Sequence, residues 1–244
     1  MPEGPTILNL TSKISRFKGK TVTDATGYAE MDKTGIAGQK LMAIDAYGKN
    51  FIFVFKDFFV TVHLGLFGSM LINKRKKSNA SFALHFDDKE INFYIANTKK
   101  IDGKPQDHFN YNTDILKKTF DGEYVLSTLQ EKYAEKMIGD ALMDQDLFTG
   151  VGNIIRVESL YRAKIHPESV IRNIPEKKLV FLIETVVNYA YEFLEQSKED
   201  TVKEKTLIYG KKICPKDKWE LIIEEMGKVK RKTYVCPKCQ KKFE

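Results

Sequence analysis

The sequence has few cysteines and lacks a long apolar run. Its 244 residues include three cysteines, too few for the disulfide framework that holds small secreted domains together. It contains neither a charged segment followed by an apolar segment, as in a secretion signal, nor an apolar stretch long enough to span a bilayer. We therefore expect a cytoplasmic protein.

Positive charge is concentrated in the C-terminal part of the sequence. Residues 198–244 contain 14 Lys and Arg against 8 Asp and Glu, a net charge of +6, whereas residues 1–197 contain 26 against 25. A basic segment of this kind favours a polyanion, either nucleic acid or a membrane surface. A solvated tail without a partner has the same composition, so charge alone does not separate these alternatives.

The first five residues, Met-Pro-Glu-Gly-Pro, place a proline beside a carboxylate. If Met1 is removed, Pro2 carries a free secondary amine with a reference pKa of roughly 7.7–8.0, so a fraction is neutral and nucleophilic at neutral pH. Such an amine attacks a sugar aldehyde to give a cationic iminium, which favours elimination at the neighbouring carbon, and Glu3 is placed to move protons. The same residues also fit an ordinary frayed chain end.

Hydrophobic spacing divides the sequence into a β-rich part and a helical part. After Pro5, apolar residues recur at helical spacing as far as Phe17. Short β-rich runs separated by turn residues follow over residues 21–94, which is typical of a β-sandwich or barrel, and residues 97–111 are predicted to be a loop. Helical spacing then dominates, with a long apolar-striped helix predicted over residues 175–197. We expect a β domain at 1–115, a helical domain at 116–205 and a basic module at 206–244.

Phosphate contacts are predicted at a glycine-bearing turn and at a basic strand. Gly150 and Gly152 permit a tight backbone that presents amide groups, and Asn153 is predicted to cap the helix that follows. A plain turn between two helices is the alternative. Arg231 lies in a basic strand predicted over residues 228–235, where it is placed to reach a phosphate.

A second loop, His-Leu-Gly-Leu-Phe-Gly at residues 63–68, follows a predicted strand. It carries an imidazole at His63 and the apolar side chains of Leu66 and Phe67. Apolar loop residues of this kind wedge into a base stack in some DNA-binding proteins. Ordinary packing in the core is the alternative.

The three cysteines are spaced like metal ligands. Cys236 and Cys239 form a C-x-x-C knuckle, and Cys214 lies 22 residues ahead of it. Asp217 stands where a second C-x-x-C pair would be completed, and a carboxylate oxygen also binds zinc. We therefore predict one Zn²⁺ held by Cys214, Asp217, Cys236 and Cys239, with a metal-free packed hairpin as the alternative.

Taken in this order, the motifs resemble those of the formamidopyrimidine-DNA glycosylase and endonuclease VIII family of base-excision repair enzymes, over essentially the whole sequence. The resemblance rests on the N-terminal five residues, on Lys49 ahead of a strand, on residues 63–68 and 150–158, and on residues 231–240. It implies an α+β multidomain protein. Its parts are an N-terminal β-sandwich carrying an N-terminal helix, a helix-two-turn-helix domain and a C-terminal β-hairpin zinc finger.

The resemblance also implies a function for the site residues. The implied protein is a monomer in the bacterial cytoplasm, associated with the nucleoid and not with membranes, which binds damaged DNA, removes an oxidised base and cleaves the strand by β/δ-elimination. The implied roles are Pro2 as Schiff-base nucleophile, Glu3 as general acid and base, Lys49 as a catalytic-site phosphate contact, His63, Gly152, Asn153 and Arg231 as DNA contacts, and Leu66 as the residue that fills the gap left by an extruded base.

Several positions depart from the family pattern. Thr6 replaces a second carboxylate, Asp217 replaces a cysteine, and residues 97–101 lack an arginine and phenylalanine wedge. Gly4 resembles the endonuclease VIII branch, which acts on oxidised pyrimidines, whereas His63 and its neighbours resemble the branch that acts on purines. Two other functions stay open: a non-catalytic or lyase-only protein that binds lesions or abasic sites, and an RNA-associated zinc-ribbon protein.

Overall fold

The computed structural model describes residues 2–228 and 230–244, so the predicted removal of Met1 and one position of the predicted basic strand, Val229, lie outside the described residues. The chain forms two compact units, Met1–Asn110 and Tyr111–Glu244. Each unit has its own hydrophobic core. The three-domain bounds 1–115, 116–205 and 206–244 stay a prediction.

The first unit is a β-sandwich with one helix. Its two four-stranded antiparallel sheets have the strand orders β1-β6-β7-β5 and β2-β3-β4-β8. The elements are α1 Gly4–Ile14, β1 Asp24–Thr26, β2 Ala43–Tyr47, β3 Asn50–Val54, β4 Phe58–His63, β5 Ser69–Ile72, β6 Phe82–Phe86, β7 Lys89–Tyr94 and β8 Asn97–Asp102, with short 3-10 helices at Ser15–Phe17 and Pro105–Asp107.

Apolar side chains that alternate along the strands fill the space between the sheets. Phe51 and Phe53 of β3 meet Phe93 of β7 edge-on, at ring-centroid distances of 5.2 and 5.8 Å. Helix α1 packs on β2 and β3, and its buried Ile7 and Ile14 join the same core. Both the helical spacing after Pro5 and the sandwich are therefore confirmed. The burial of one helical face fixes the start of the chain onto the sheet.

The predicted loop over residues 97–111 is wrong for its first part, which forms strand β8. This strand pairs antiparallel with β4 and lies at the edge of its sheet. Its sequence, Asn-Thr-Lys-Lys-Ile-Asp, is polar because one side of an edge strand faces solvent, and lysines commonly occupy such edges. Lys100 lies over the ring of Phe58 at 4.7 Å and pairs with Asp32. The charged residues of this segment interrupt the apolar alternation from which strands are predicted.

The second unit is helical and ends in a β-hairpin. Its elements are α2 Gly122–Lys132, α3 Ile138–Ala141, α4 Asn153–Ala163, α5 Glu176–Lys198, α6 Val202–Lys205, β9 Ile222–Met226 and β10 Arg231–Val235, with 3-10 helices at Tyr111–Thr113 and Ile171–Asn173. Helix α5 packs on α4 and α2, and its buried stripe includes Leu182, Val186 and Ala190, as its apolar spacing predicts. None of the described helices combines the length and the apolar character needed to cross a membrane.

The hairpin is attached to helix α4 by buried polar groups. Arg156 Nη2 donates to Thr233 Oγ1 at 2.5 Å. The carboxylate of Glu158 is fully buried and accepts three consecutive backbone N–H groups, from Leu207, Ile208 and Tyr209, at 2.9–3.0 Å. A buried carboxylate is stable only when its oxygens are paired in this way. Helix α4 therefore fixes the direction in which the chain enters the hairpin.

We expect Glu158→Gln to lower the free energy of unfolding of the second unit by about 3 kcal/mol, because the substitution leaves buried donors without a charged acceptor. Urea unfolding followed by the fluorescence of Trp219, the one tryptophan, measures this. Glu192→Gln is the matched control, because Glu192 pairs with the same Arg162 at 3.5 Å but its side chain is 55% exposed. That change should stay within about 0.5 kcal/mol. Equal effects of the two substitutions would contradict the prediction.

Candidate functional site

Pro2 and Glu3 lie immediately before helix α1. Glu3 has extended backbone angles, φ −109° and ψ 174°, and its carbonyl accepts the N–H of Ile7 at 3.0 Å. Pro5 occupies the first turn, where its missing N–H costs nothing. Glu3 is 1% exposed and Pro2 is half-buried. An amine at Pro2 would therefore be held beside a buried carboxylate on a packed helix, which a frayed chain end does not provide.

The structure brings Lys49 and His63 together. Gly48 and Lys49 form a two-residue turn between β2 and β3, and Gly48 has the positive φ of 52° that such a turn requires. His63 ends β4 directly opposite Asn50. Burial, and then the nearby Lys49 ammonium, lower the pKa of His63, while a hydrogen bond to the Lys49 backbone opposes the shift. His63 is thus kept as a neutral imidazole beside an ammonium group.

The loop after His63 holds two apolar side chains in solvent. The N–H of Gly68 donates to the carbonyl of Leu64 at 2.9 Å, and a Cβ at position 68 would lie 2.0 Å from that carbonyl oxygen. Only glycine permits this closure. Leu64 is buried, whereas Leu66 is 51% exposed and Phe67 is 75% exposed. Leu66 and Phe67 are therefore not core residues, so the alternative of ordinary core packing is wrong for these two side chains.

The glycine turn at the start of α4 differs from the prediction in one respect. The cap position is Gly152, and Asn153 is the first residue of the helix. The prediction that Asn153 caps α4 is wrong, because its side-chain amide donates instead to the carbonyl of Lys232 at 2.8 Å. Within the turn, the N–H of Gly150 donates a hydrogen bond to Gln145 Oε1 at 3.3 Å. The Gly150 amide is therefore already paired within the turn.

Arg231 begins strand β10, next to the residue that Asn153 contacts. Its Nε atom is buried and has no hydrogen-bond partner among the residues that the structure describes. A guanidinium N–H without a partner is costly unless an external acceptor satisfies it. Because that atom is buried, an external anion would reach it only after the side chain moves.

The four predicted metal ligands form one cluster. The Sγ atoms of Cys214, Cys236 and Cys239 and an oxygen of Asp217 all lie within 4.8 Å of one another. Asp217 Oδ2 is 2.8 Å from Cys239 Sγ and 3.4 Å from Cys236 Sγ, and the sulfurs of Cys214 and Cys239 are 3.9 Å apart. Donors at about 2.0–2.3 Å from one tetrahedral Zn²⁺ lie roughly 3.3–3.8 Å from each other. The cluster therefore fits a metal ion of this size.

Neighbouring groups support the cluster. The N–H groups of Asp217 and Cys239 point at the sulfurs of Cys214 and Cys236, at 3.5 and 3.4 Å. Tyr161 contacts Cys214 Sγ through its hydroxyl at 3.3 Å. Burial, and then the hydrogen bond to Asp217, raise the pKa of Cys239 to about 12. Sequence patterns gave no sign of Tyr161, because it lies on α4, 53 residues from its sulfur partner.

The predicted residues fall in both units. Pro2, Glu3, Lys49, His63 and Leu66 belong to the first unit, and Gly152, Asn153, Arg231 and the metal cluster belong to the second. Within each unit the structure joins residues that are distant in sequence, namely Lys49 with His63 and Asn153 with the strand of Arg231. These assignments stay predictions, since geometry alone does not assign a role.

The sequence is similar to that of DNA glycosylases over most of its length. Residues 1–100 match the formamidopyrimidine-DNA glycosylase N-terminal domain, and residues 112–205 match the formamidopyrimidine-DNA glycosylase H2TH domain. Mouse endonuclease 8-like 2 is 30% identical over 194 residues, 73% of this chain and 57% of the relative. Mouse endonuclease 8-like 3 is 24% identical over 84% of this chain, which spans 35% of that relative. Formamidopyrimidine-DNA glycosylase of Rhodococcus erythropolis is 26% identical, over 84% of this chain and 81% of the relative.

Solved structures have the same fold. Formamidopyrimidine-DNA glycosylase of Lactococcus lactis, non-covalently bound to DNA with an AP site, superposes with a TM-score of 0.86 at 20% identity, over 98% of this chain and 100% of the other. A MutM complex with DNA that contains carbocyclic 8-oxo-G gives 0.87 at 20% identity, over 99% of this chain and 100% of the other. With its sandwich, its helical unit, its cysteine hairpin and both family domains, the chain belongs to the formamidopyrimidine-DNA glycosylase and endonuclease VIII family.

Proposed function

We propose that the protein is a base-excision repair DNA glycosylase with AP lyase activity. The observation that carries this proposal is the buried carboxylate of Glu3 beside Pro2 at the start of a packed helix. Family membership supports the same activity, and relatives of the same fold bind DNA that contains an AP site or a damaged base. The partner is damaged DNA, bound by a monomer.

The chemistry takes place at a sugar whose damaged base has been turned out of the duplex, at a cost of a few kcal/mol. The nitrogen of Pro2 attacks C1′ as the C1′–base bond breaks, and the base leaves with the proton that the amine loses. Protonation of the ring oxygen by Glu3 then opens the ring to an iminium and leaves Glu3 as a carboxylate. The positive charge acidifies a C2′ hydrogen, and loss of that proton to Glu3 expels the 3′ phosphate by β-elimination. A second elimination expels the 5′ phosphate, and water releases the sugar fragment and returns the amine. A secondary amine suits this sequence because its Schiff base always carries the charge.

Binding uses cationic and amide groups of both units. In the first unit Lys49 contacts a phosphate of the damaged strand and His63 lies beside it, while Leu66 fills the space that the extruded base leaves. In the second unit the start of α4, with Gly152 and Asn153, and the guanidinium of Arg231 contact phosphates. Because these contacts release counterions, affinity should fall steeply with salt.

The cysteine hairpin holds one Zn²⁺ through Cys214, Asp217, Cys236 and Cys239. Four protein ligands would leave no open coordination position, as in structural zinc sites, so the ion would stabilise the fold and take no part in the reaction. The strand that carries Arg231 leads directly to Cys236. The role of the metal is therefore to hold the phosphate contact in place.

Oxidised pyrimidines are the preferred substrates in our proposal. Gly4 and the Arg-Val-Glu sequence at 156–158 resemble the endonuclease VIII branch, and the segment 197–209 is short. A lyase-only protein is the second candidate, because Thr6 replaces the carboxylate that assists base release in the family. Both candidates form the same covalent intermediate at an abasic site.

Borohydride trapping tests the proposal. A duplex with one abasic site is incubated with the protein and reduced, and we expect one covalent adduct per chain. A chain that keeps extra residues ahead of Pro2 has an amide instead of an amine there and should give no adduct, whereas Lys49→Gln should still give it. An adduct that persists in the extended chain would overturn Pro2 as nucleophile.

An assay of base release and strand cleavage separates the glycosylase from the lyase-only protein. Duplexes with an oxidised pyrimidine, with 8-oxoguanine and with an abasic site are compared for release of the base and for cleavage of the strand. We expect faster release from the oxidised pyrimidine than from 8-oxoguanine. Cleavage at the abasic site without release of either base would establish the lyase-only alternative.

A further inference from the structure

A cavity of about 440 Å³ lies on the face of the first sheet that points away from the sandwich core. Phe82, Leu84 and Phe93 belong to the core, so the side chains that alternate with them project from the opposite face. This size is within the range of small-molecule pockets, roughly 300–1,000 Å³. The floor of the cavity is formed by side chains from three adjacent strands, namely Thr26, Ala83, His85, Asn92 and Tyr94.

The segment between β5 and β6, residues 73–81, forms a wall over this floor and is called the strap here. Asn92 Nδ2 donates to the carbonyl of Lys74 at 3.0 Å, and the N–H of Lys76 donates to the Tyr94 hydroxyl at 2.9 Å. Ser81 Oγ donates to the carbonyl of Phe93 at 2.9 Å. These bonds keep Asn92 and Tyr94 only 3% exposed, although they face away from the core. The wall is therefore anchored to the floor at several points.

The strap brings positive charge to the cavity. It contains Lys-Arg-Lys-Lys at 74–77, of which Arg75 and Lys76 line the cavity. Glu90 holds Arg75 from outside through two parallel bonds, Nε to Oε1 at 2.8 Å and Nη2 to Oε2 at 2.5 Å. Lys76 Nζ donates to Ser69 Oγ at 2.6 Å. No carboxylate occurs among the described residues that line the cavity. Glu90 also lies 3.4 Å from His85 Nδ1 of the floor, so it neutralises Arg75, whereas Lys76 has no acidic partner among the described residues.

Two polar side chains without hydrogen bonds to other described residues and one exposed aromatic ring also line the cavity. The side chains of Ser78 and Asn79 line the cavity and form no hydrogen bond with another described residue. Tyr28, at the rim, is 63% exposed, and its backbone N–H is fixed to the carbonyl of Ala80 at 3.2 Å. An exposed ring on a fixed backbone is a surface on which a planar group can stack.

We propose that this cavity binds a nucleotide. Arg75 and Lys76 take its phosphate, Tyr28 stacks on its base, and the amide of Asn79 binds the polar edge of the base. Fixed cations together with an aromatic ring and free polar groups are the features with which proteins bind single-stranded nucleic acid. The nucleotide is either free or part of a single strand, since both present the same chemistry. None of the residues assigned to lesion chemistry lines the cavity.

Titration calorimetry with two probes, deoxyadenosine 5′-monophosphate and a single-stranded oligothymidylate of ten nucleotides, tests the proposal. The strap provides matched variants. R75Q/K76Q and K74Q/K77Q each remove two charges from the same segment, but only the first pair lines the cavity. We expect binding to weaken at least tenfold in R75Q/K76Q and less than twofold in K74Q/K77Q. Tyr28→Ala should weaken binding by about tenfold through loss of stacking.

The outcomes are distinct. Tighter binding of the oligothymidylate, lost in R75Q/K76Q, identifies a strand site, and binding of the mononucleotide alone identifies a free nucleotide site. Equal weakening of binding in both double variants would show that only the overall positive charge of the strap attracts the probe, and this would overturn the proposal. Absence of binding by the unmodified chain would overturn it as well. If R75Q/K76Q does not fold, K76Q and K77Q replace the double variants. Borohydride adducts at an abasic duplex should be the same in all variants, so that this proposal and the lyase fail or succeed separately.

Discussion

Glu3→Gln is expected to lower the rate of strand cleavage at an abasic site by about 10²–10⁴-fold, the usual contribution of a positioned general acid or base. Glutamine has almost the shape of glutamate but neither accepts nor delivers a proton. Under our proposal the elimination step depends on proton removal from C2′, which the amide cannot perform. The rate is measured under single-turnover conditions on a labelled duplex.

The start of helix α1 should keep its backbone geometry in this variant. Glu3 does not cap helix α1 with its side chain, and its contribution to the helix is a backbone carbonyl that accepts from Ile7. Glutamine keeps that carbonyl and fills the same volume. Glu3 is itself buried, so thermal unfolding of the variant is measured beside the cleavage rate, which separates a catalytic loss from a structural one.

Glu30→Gln is the matched control, because Glu30 belongs to the same unit and is exposed. It should cleave at the unmodified rate. An unchanged rate in Glu3→Gln would remove Glu3 from the reaction and leave the amine of Pro2 without its proton carrier. A lowered rate in both variants would point to a loss of overall charge instead.

Local pattern was sufficient for most of the fold. Strand alternation predicted the sandwich, because its inward side chains are large and apolar, as Phe51 and Phe53 illustrate. The stripe of α5 was equally clear. Strand β8 could not be recognised from its residues, since an edge strand has only one paired neighbour and its lysines are solvated. The strand conformation of residues 97–102 depends on their pairing with β4, which is a tertiary contact.

The candidate site shows the same division. The cluster of Cys214, Asp217, Cys236 and Cys239 was predicted from spacing, because two pairs of potential ligands close in sequence are a local feature. The prediction that Asn153 caps α4 was wrong, since its side-chain amide donates to the carbonyl of Lys232, 79 residues away. Glu158 reads as a helical surface charge in the sequence, but it is buried under the backbone of residues 207–209. Polar contacts between residues that are distant in sequence produce no repeating pattern from which they could be predicted.

Removal of the metal is expected to unfold the cysteine hairpin. In zinc-finger peptides the apparent binding free energy of Zn²⁺ is about 10–16 kcal/mol at neutral pH, and binding is coupled to folding. Two of the four ligands, Cys236 and Cys239, follow β10 directly. A strong chelator should release one Zn²⁺ per chain and change the fluorescence of Trp219, while the helical signal of α4 and α5 persists.

Asp217 allows a sharper test than the removal of a cysteine. Asp217→Ala should weaken Zn²⁺ binding by more than about 100-fold, the upper end of the loss caused by changes outside the ligand shell. Asp217→Cys should strengthen it, because a fourth thiolate is the softer ligand and completes a common zinc site. Glu220→Gln, a nearby acidic residue outside the cluster, should leave affinity unchanged.

The pH dependence distinguishes a ligand from a neighbour. Without metal, the cysteine thiols are largely protonated at neutral pH, because the reference pKa of a cysteine is about 8.5, so the ion must displace protons and its affinity falls as pH falls. A carboxylate at position 217 is already deprotonated and adds nothing to this slope, whereas a thiol there adds about one proton. The slope of log affinity against pH should therefore be steeper by about one in Asp217→Cys than in the unmodified chain. Identical slopes and affinities in the two proteins would show that Asp217 does not bind the metal.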